Sequence, residues 1–329
     1  MKLIILSEQK SFLKKGASND CIIGQEKAFI KKGKERVKVE YKSLILKNIN
    51  RILKKIGVNL LCDSFTKVKQ DDAVHMYIAM NLNYLVDNAY LLKNLKRYGN
   101  KIALYIYDCW EPEFDDWQKV IDDIAPNYIF FCFKQTYEHY KDRYNCFWIP
   151  QSADLDIFKP LEVEKGRRFI QMGRVNEVIH KRILEYLKNH NMADDETNYI
   201  YRRSKKEQIF PELSDLVRGI NESKYIVCVP KCFENFKRTG NVCGITARYF
   251  EAMACKTLII GRKPTSFDEL FPYEAMIDLG EEASDFDSKI DKYENNDALY
   301  KEIVERNYEY LLSHHTWGHR LEEILRIIG

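Results

Sequence analysis

Short apolar runs alternate with longer amphipathic stretches along most of the chain. Strands are predicted at KLIIL, NLLC, AVHMYIAM, KIALYIYD, YIFFCF and CFWIP, because these runs are apolar and rich in β-branched or aromatic residues. Between them, SLILKNINRILKKIG, NYLVDNAYLLKNLKRYG and DDWQKVIDDIAP carry apolar residues at a spacing of three to four, which predicts helices. Gly57 and Gly99 stand where helix C-caps belong. Strands that are apolar throughout, separated by helices, predict a parallel sheet covered on both faces.

The pattern restarts after a charged segment, KPLEVEKGRR, at residues 159–168. Further strands are predicted at RFIQMG, NYIYR, KYIVCVP, TLIIG and AMIDLG. Helices are predicted from about residue 181, over KEQIFPELSDLVRGI, in GITARYFEAMA and over 297–328, where HHTWGH interrupts the pattern. The chain is therefore predicted to be α/β, with one domain over residues 1–158 and a second over 159–329.

Composition fits two soluble domains of ordinary size, since the 329 residues are 45% hydrophobic and 31% charged. No run approaches the roughly 20 apolar residues that cross a bilayer, and the apolar start is short for a signal peptide, so a cytoplasmic protein is predicted. The nine cysteines include no CxxC pair, which indicates reduced thiols. Cys228 and Cys232 lack a second Cys/His pair, and the adjacent His314 and His315 point to different faces, so no metal site is predicted.

The charge is unevenly placed. Residues 1–60 hold 15 Lys and Arg against 5 Asp and Glu, although the net charge of the whole chain is only +3. One interpretation is a solvated, lysine-rich surface. The other is a basic face towards an anionic partner: the inner face of a membrane, a lipid-phosphate acceptor or nucleic acid. Nucleic acid is the least favoured, because no nucleic-acid motif accompanies the lysines.

In an open parallel sheet, ligands bind beyond the carboxyl ends of the strands, and three segments follow predicted strands there. The first is QMGRVNEVIHKR, residues 171–182. Gly173 allows close backbone approach, and Arg174 and Lys181 are two cations suited to a pyrophosphate. The alternative is an ordinary turn with solvated cations. Neither GxGxxG nor GxxxxGK[ST] occurs in the chain, so a dinucleotide fingerprint and a P-loop are unsupported.

The second segment is GITARYFEAMACKTLIIG, residues 244–261. Gly244 and Thr246 mark the predicted start of a helix, whose amides are able to bind phosphate. Arg248 and Glu251 are three residues apart and share one helix face. They form either a local ion pair or a site in which Glu251 accepts hydrogen bonds from two neighbouring sugar hydroxyls.

The third segment is YIYDCWEPEFDDW, residues 105–117. Asp108 ends a predicted strand and Glu111 follows in a loop, so both are candidates for a general base. Trp110 and Trp117 suit a sugar-stacking platform. The alternative is that this segment starts a helix and that the tryptophans belong to the core.

Three passages resemble the GT-B glycosyltransferases, particularly the bacterial glycosyl transferases group 1 set and its CgeB-like relatives. They are IPQSADLDIFKP, FIQMGRVNEVIHKR and RYFEAMACKTLIIG, in matching order over roughly residues 100–329. The resemblance implies two Rossmann-like domains facing across a cleft, and transfer of a sugar from a nucleotide-diphosphate-sugar, most simply a UDP-sugar, without a metal. The acceptor would be a glycan, a lipid-linked molecule or a protein.

By position in the family pattern, the resemblance places Arg174 and Lys181 on the diphosphate, next to Gly173. It places backbone or hydroxyl donors of Gly244, Ile245 and Thr246 there too, with assistance from Arg248, and Glu251 on the ribose.

The sequence departs from the family pattern at two positions. Many retaining members carry two glutamates seven residues apart, but Cys243 occupies the first position, and Lys256 replaces the usual glycine after "AC". Retention and inversion both stay open, with Asp108 or Glu111 as base for inversion. A nucleotide-sugar 2-epimerase of the same architecture and a non-catalytic nucleotide-sugar-binding protein remain as alternatives, and a phage-type DNA glycosyltransferase is a subcase of the main interpretation.

Overall fold

The structure is a computed structural model that describes residues 2–7, 20–38, 45, 49, 52–53, 72–204 and 209–329. These residues belong to two compact units. The first unit comprises the described parts of Met1–Pro150 together with Lys237–Val242 and Gly318–Gly329. The second unit comprises the described parts of Gln151–Phe236 and Cys243–Trp317. None of the helices among the described residues combines the length and apolar content that a membrane-spanning helix needs.

The first unit is built on a six-stranded sheet in the order β2-β1-β3-β4-β5-β6, in which all neighbouring strands are parallel. The apolar runs of the sequence become its central strands, and every residue of β4 between its two ends is buried. The elements up to residue 150 are β1 Leu3–Ser7, α1 Asp20–Lys31, β2 Glu35–Lys38, β3 Val74–Asn81, α2 Leu82–Arg97, β4 Lys101–Asp108, α3 Phe114–Ile124, β5 Tyr128–Phe131, α4 Lys134–Tyr140 and β6 Cys146–Trp148.

The second unit is built on a five-stranded parallel sheet in the order β11-β10-β9-β7-β8. Its core includes Phe169, Ile183, Tyr225 and Ile260, all fully buried. The elements after residue 150 are β7 Arg167–Gln171, α5 Glu177–Asn189, β8 Tyr199–Tyr201, α6 Leu213–Asn221, β9 Ser223–Cys228, α7 Phe236–Thr239, α8 Ala247–Ala254, β10 Leu258–Gly261, α9 Phe267–Leu270, β11 Ile277–Asp278, α10 Phe286–Glu294, α11 Asp297–His314 and α12 Trp317–Ile328.

The predicted fold class is confirmed: both sheets are parallel, with helices between their strands. The predicted strand at 59–62 and the helical pattern at 43–57 fall mainly outside the described residues. The helix predicted over KEQIFPELSDLVRGI begins at Leu213, because Pro211 precedes it and disfavours helical backbone before the ring. The sequence places the domain boundary after residue 158, whereas the compact units divide after Pro150, and Gly318–Gly329 belongs to the first unit.

Two helix ends show how local sequence sets the fold. Helix α2 is followed by Gly99 with φ +83°, a left-handed conformation that glycine adopts without strain, as the C-cap prediction required. At the end of α8, Lys256 takes the same role with φ +50°, so the turn keeps the shape that the usual glycine would give. The Lys256 ammonium lies 2.6 Å from Glu305 Oε2 and over the Tyr308 ring, which holds the side chain in place.

Candidate functional site

The second unit contains a cavity of about 350 Å³ at the carboxyl ends of its parallel strands. We call it the strand-end cavity. It lies where β7, β8 and β9 end and where α8 begins, the position at which open parallel sheets bind ligands. Its charged lining consists of three arginines and one glutamate. The lining residues are Gln171–Arg174, Arg202, Val227–Val229, Glu234, Thr246, Arg248 and Tyr249.

The turn after β7 is held by hydrogen bonds of the buried Gln171 side-chain amide. Gln171 is 2% exposed, and its Oε1 accepts a hydrogen bond of 2.7 Å from the Tyr199 hydroxyl. Its Nε2 donates to the Arg174 carbonyl at 3.5 Å. Gly173 has φ +80°, and an added Cβ would meet nothing within 4 Å, so glycine is required by the backbone conformation and not by lack of space. The Gly173–Arg174 turn is therefore held in one shape beside the cavity.

Arg174 forms an ion pair with a glutamate that lies 60 residues further along the chain. Its Nε lies 2.9 Å from Glu234 Oε2. The arginine side chain is 49% exposed, whereas the glutamate side chain is only 12% exposed. Burial raises the pKa of the Glu234 carboxyl, against the opposing effect of Arg174. The sequence does not identify Glu234 as a site residue, because only the folded chain brings it to Arg174.

The start of α8 contributes the second side of the cavity. Thr246 has extended backbone with φ −105° and ψ 168°, and the helix begins at Ala247, as predicted. Gln151 Oε1 accepts a 2.8 Å hydrogen bond from the Ala247 amide, so a buried glutamine caps this helix. Thr246 lines the cavity, whereas Gly244 and Ile245 are buried and do not line it.

Arg248 and Glu251 form the ion pair that one interpretation of the sequence predicted. Arg248 Nη1 lies 2.9 Å from Glu251 Oε2, and the glutamate side chain is 11% exposed. Arg248 Nη1 also contacts the Met172 sulfur at 3.9 Å. Arg248 lines the cavity and Glu251 does not. The pair thus repeats the arrangement of Arg174 and Glu234, with a buried carboxylate behind a more exposed arginine.

Lys181 lies on the second turn of α5, away from the residues that line the cavity. Its side chain is 78% exposed, and its ammonium is 3.9 Å from Glu185. An exposed pair at this distance contributes little to stability.

The two candidate bases lie in the first unit. Asp108 is the half-buried last residue of β4, in register with Asn81 of β3. Glu111 accepts hydrogen bonds from the backbone amide and the side-chain Nδ2 of Asn241, the latter at 3.0 Å to Oε2 and 3.3 Å to Oε1. Gly240 has φ +57°, and an added Cβ would lie 2.2 Å from Glu111 Oε2. Glu111 therefore anchors the Gly240–Asn241 turn.

The tryptophans beside these carboxylates are core residues. Trp110 is 4% exposed and Trp117 is 0% exposed. The interpretation of these rings as a sugar-stacking platform was wrong, because α3 carries Trp117 on its apolar face and buries it against the sheet.

A sequence model of the family described as glycosyl transferase-like matches residues 157–326, more than half of the chain. The chain belongs to this family. The matched residues include β7, the residues that line the strand-end cavity, and α8. The chain is therefore a glycosyltransferase.

Solved structures share the fold at low sequence identity. A glycosyltransferase from Rickettsia africae ESF-5 is 13% identical with a TM-score of 0.54, over 99% of this chain and 97% of that one. An α,α-trehalose-phosphate synthase (UDP-forming) from Burkholderia vietnamiensis is 10% identical with a TM-score of 0.54, over 99% of each chain. A chain of the structure of accessory secretory protein 1, 2 and 3 from Streptococcus pneumoniae is 12% identical with a TM-score of 0.54; the match covers 87% of this glycosyltransferase and 56% of that chain.

At these identities the likeness is one of fold, and the fold is GT-B, as the resemblance implied. No curated protein matches the glycosyltransferase in sequence.

Proposed function

We propose that this glycosyltransferase moves a sugar from a nucleotide-diphosphate-sugar to a glycan, lipid-linked or protein acceptor, without a metal. The observation that carries the proposal is the strand-end cavity, whose described lining includes Arg174, Arg202 and Arg248 together with the carboxylate of Glu234. A nucleoside diphosphate carries at least two negative charges, and guanidinium groups bind such oxygens in pairs. Arginines placed there stabilise the departing diphosphate as charge develops on it.

The proposed donor set follows the cavity. Arg174 and Arg248 contact the diphosphate, the Gly173 turn lets the backbone approach it, and the Thr246 hydroxyl donates to it. One oxygen of the Glu251 carboxylate pairs with Arg248. An ionised carboxylate has further lone pairs, and these accept hydrogen bonds from the ribose hydroxyls. Glu251 does not line the cavity itself and is included because it pairs with Arg248, which does. Among the described residues, Gly244, Ile245 and Lys181 neither line the cavity nor form an ion pair with a residue that does, so they are left out of this set.

The identity of the nucleotide and of the catalytic general base is each proposed from a single observation. We propose UDP as the nucleotide, since the similar trehalose-phosphate synthase is described as UDP-forming. For an inverting reaction we propose Asp108 or Glu111 as the general base, since Asp108 ends β4 and Glu111 follows it within three residues. Retention would need another group at the position of Cys243.

A thermal-shift screen against UDP-, GDP- and other nucleotide-sugars tests the donor, because a ligand that binds only the folded state raises the melting temperature. Arg174→Ala and Glu251→Ala are each expected to abolish donor turnover while circular dichroism stays that of a folded chain. Wild-type turnover in both variants would contradict the site. Interconversion of the donor without added acceptor would instead identify an epimerase.

A further inference from the structure

The Arg174–Glu234 pair differs from an ordinary surface ion pair in its burial. Glu234 is 12% exposed and makes its side-chain contact with Arg174 alone among the described residues, whereas the arginine is 49% exposed and lines the cavity. Removing a carboxylate from water costs free energy unless the charge is paired with a cation. Its placement therefore fixes the arginine more than it contributes to the core.

The geometry leaves the functional end of Arg174 available. The hydrogen bond to Glu234 uses Nε, and within the part of the chain that the structure describes, Nη1 and Nη2 donate no hydrogen bond. These two nitrogens carry four of the five N–H donors of the guanidinium. They are the donors that a bidentate contact with a phosphate group requires.

Arg174 is thus held at both ends. Gln171 Nε2 fixes its carbonyl and Glu234 Oε2 fixes its Nε. A free arginine side chain would lose rotamer entropy on binding an anion. A side chain that is already oriented loses less, so the anion binds more tightly.

We infer that Glu234 is a positioning residue of the donor site: it orients Arg174 through Nε so that both terminal nitrogens meet the diphosphate. The inference rests on the proposed function. It assigns Glu234 no direct contact with the donor, and it therefore predicts that Glu234 acts only when Arg174 is present.

A double-mutant cycle tests this, with calorimetric binding of UDP, inorganic pyrophosphate and uridine to the full chain. Glu234→Ala is expected to weaken UDP and pyrophosphate by the same factor, about tenfold, since a charge-assisted hydrogen bond is lost from the arginine. Uridine, which has no phosphate, should be unaffected. In an Arg174→Ala background, Glu234→Ala should change the affinity for UDP by less than about twofold.

Two further variants serve as controls. Glu234→Gln keeps an oxygen that accepts from Nε and should recover most of the affinity. Glu222→Ala removes a carboxylate whose Oε1 lies 2.7 Å from Arg218 Nε, outside the strand-end cavity, and should leave UDP affinity unchanged.

The outcomes separate the inference from the function on which it rests. If the wild type binds UDP but Glu234→Ala has no effect, or has the same effect with and without Arg174, the positioning role is refuted and the function stands. If the wild type binds neither UDP nor pyrophosphate, the proposed function falls and the inference falls with it.

Discussion

Lys165 carries an ammonium group into the interior of the second unit. Its Nζ donates hydrogen bonds to the carbonyls of Asn221 and Ser223, each at 3.1 Å, and to the Thr257 hydroxyl at 2.9 Å. None of these acceptors is charged. Burial lowers the pKa of Lys165 from 10.5 to about 8. The side chain ties the end of α6 to the starts of β9 and β10, at the opposite end of the sheet from the strand-end cavity.

This shift makes stability depend on pH in a definite direction. Between pH 8 and pH 10.5 the unfolded chain holds a proton on Lys165 that the folded chain has lost, so the free energy of unfolding rises with pH across this window. The rise amounts to about 3 kcal/mol, at about 1.4 kcal/mol per pKa unit. Lys165→Met should lack it. Urea unfolding of both proteins from pH 7 to pH 11 measures the difference, and a difference that stays constant would contradict the prediction.

At the residue scale, the sequence identified both members of the Arg248–Glu251 pair but only the arginine of the Arg174–Glu234 pair. Arg174 and Arg248 could be identified because each follows a predicted strand and a glycine, the position at which basic side chains bind anionic ligands in open parallel sheets. Glu234 could not be identified, since its meaning comes from a contact across 60 residues. Glu251 was identified through a helical spacing to Arg248, which is local and therefore visible in sequence.

At the scale of elements, a glycine of β10 pairs with a cysteine of β9, Gly261 with Cys228. Gly261 has φ +141°, and an added Cβ would lie 2.1 Å from the Cys228 carbonyl oxygen. That oxygen is backbone and cannot move aside alone. Cys228 also lines the strand-end cavity, so this contact links the packing of two strands to the shape of the site.

Three glycine-to-alanine variants should therefore form a graded series. Gly261→Ala combines a left-handed φ with a backbone clash and should cost more than about 2 kcal/mol of unfolding free energy. Gly280→Ala has φ +65° with open space and should cost about 1 kcal/mol. Gly166→Ala has neither a positive φ nor a neighbour within 4 Å and should be neutral or slightly stabilising. Urea midpoints rank the three, and Gly261→Ala alone should also weaken UDP binding.

The elements that the sequence predicted and those that it missed differ in burial. Strands such as β4 are apolar throughout because both faces are covered, and the pattern shows this directly. β2 has the sequence ERVK and was missed: among the described strands it lies at the edge of its sheet, and Glu35 and Arg36 are exposed. This charged strand is held by the hydrogen bonds between its backbone and that of β1, so its side chains do not show the apolar pattern by which a strand is predicted.

At the scale of the whole molecule, the chain crosses between its two units after residues 150, 236, 242 and 317. The first crossing comes before the predicted domain boundary, because the residues from Gln151 onwards, ahead of the charged segment at 159–168, already contact mainly the second unit. Gln151 and Ser152 come just after the crossing and serve the second unit. Gln151 caps α8, and the Ser152 hydroxyl donates to the His315 carbonyl at 2.5 Å.

A fragment of residues 151–317 should therefore be more stable than a fragment of 159–317. The shorter one loses both hydrogen bonds, and leaving the Ala247 amide unsatisfied costs about 1–3 kcal/mol. Chemical unfolding followed by circular dichroism compares the two. Equal midpoints would show that the boundary at residue 158 is an adequate limit of the unit.

The return of the chain to the first unit after residue 317 has a consequence for protein engineering. Leu321, Ile324 and Ile328 of α12 are at most 2% exposed and belong to the unit whose sheet is made by residues before 151. Two separately synthesised pieces, 1–150 and 151–329, would each present half of one apolar interface. Their recombination would be driven by burial of that helix, so a break between Pro150 and Gln151 offers a natural point for a split glycosyltransferase.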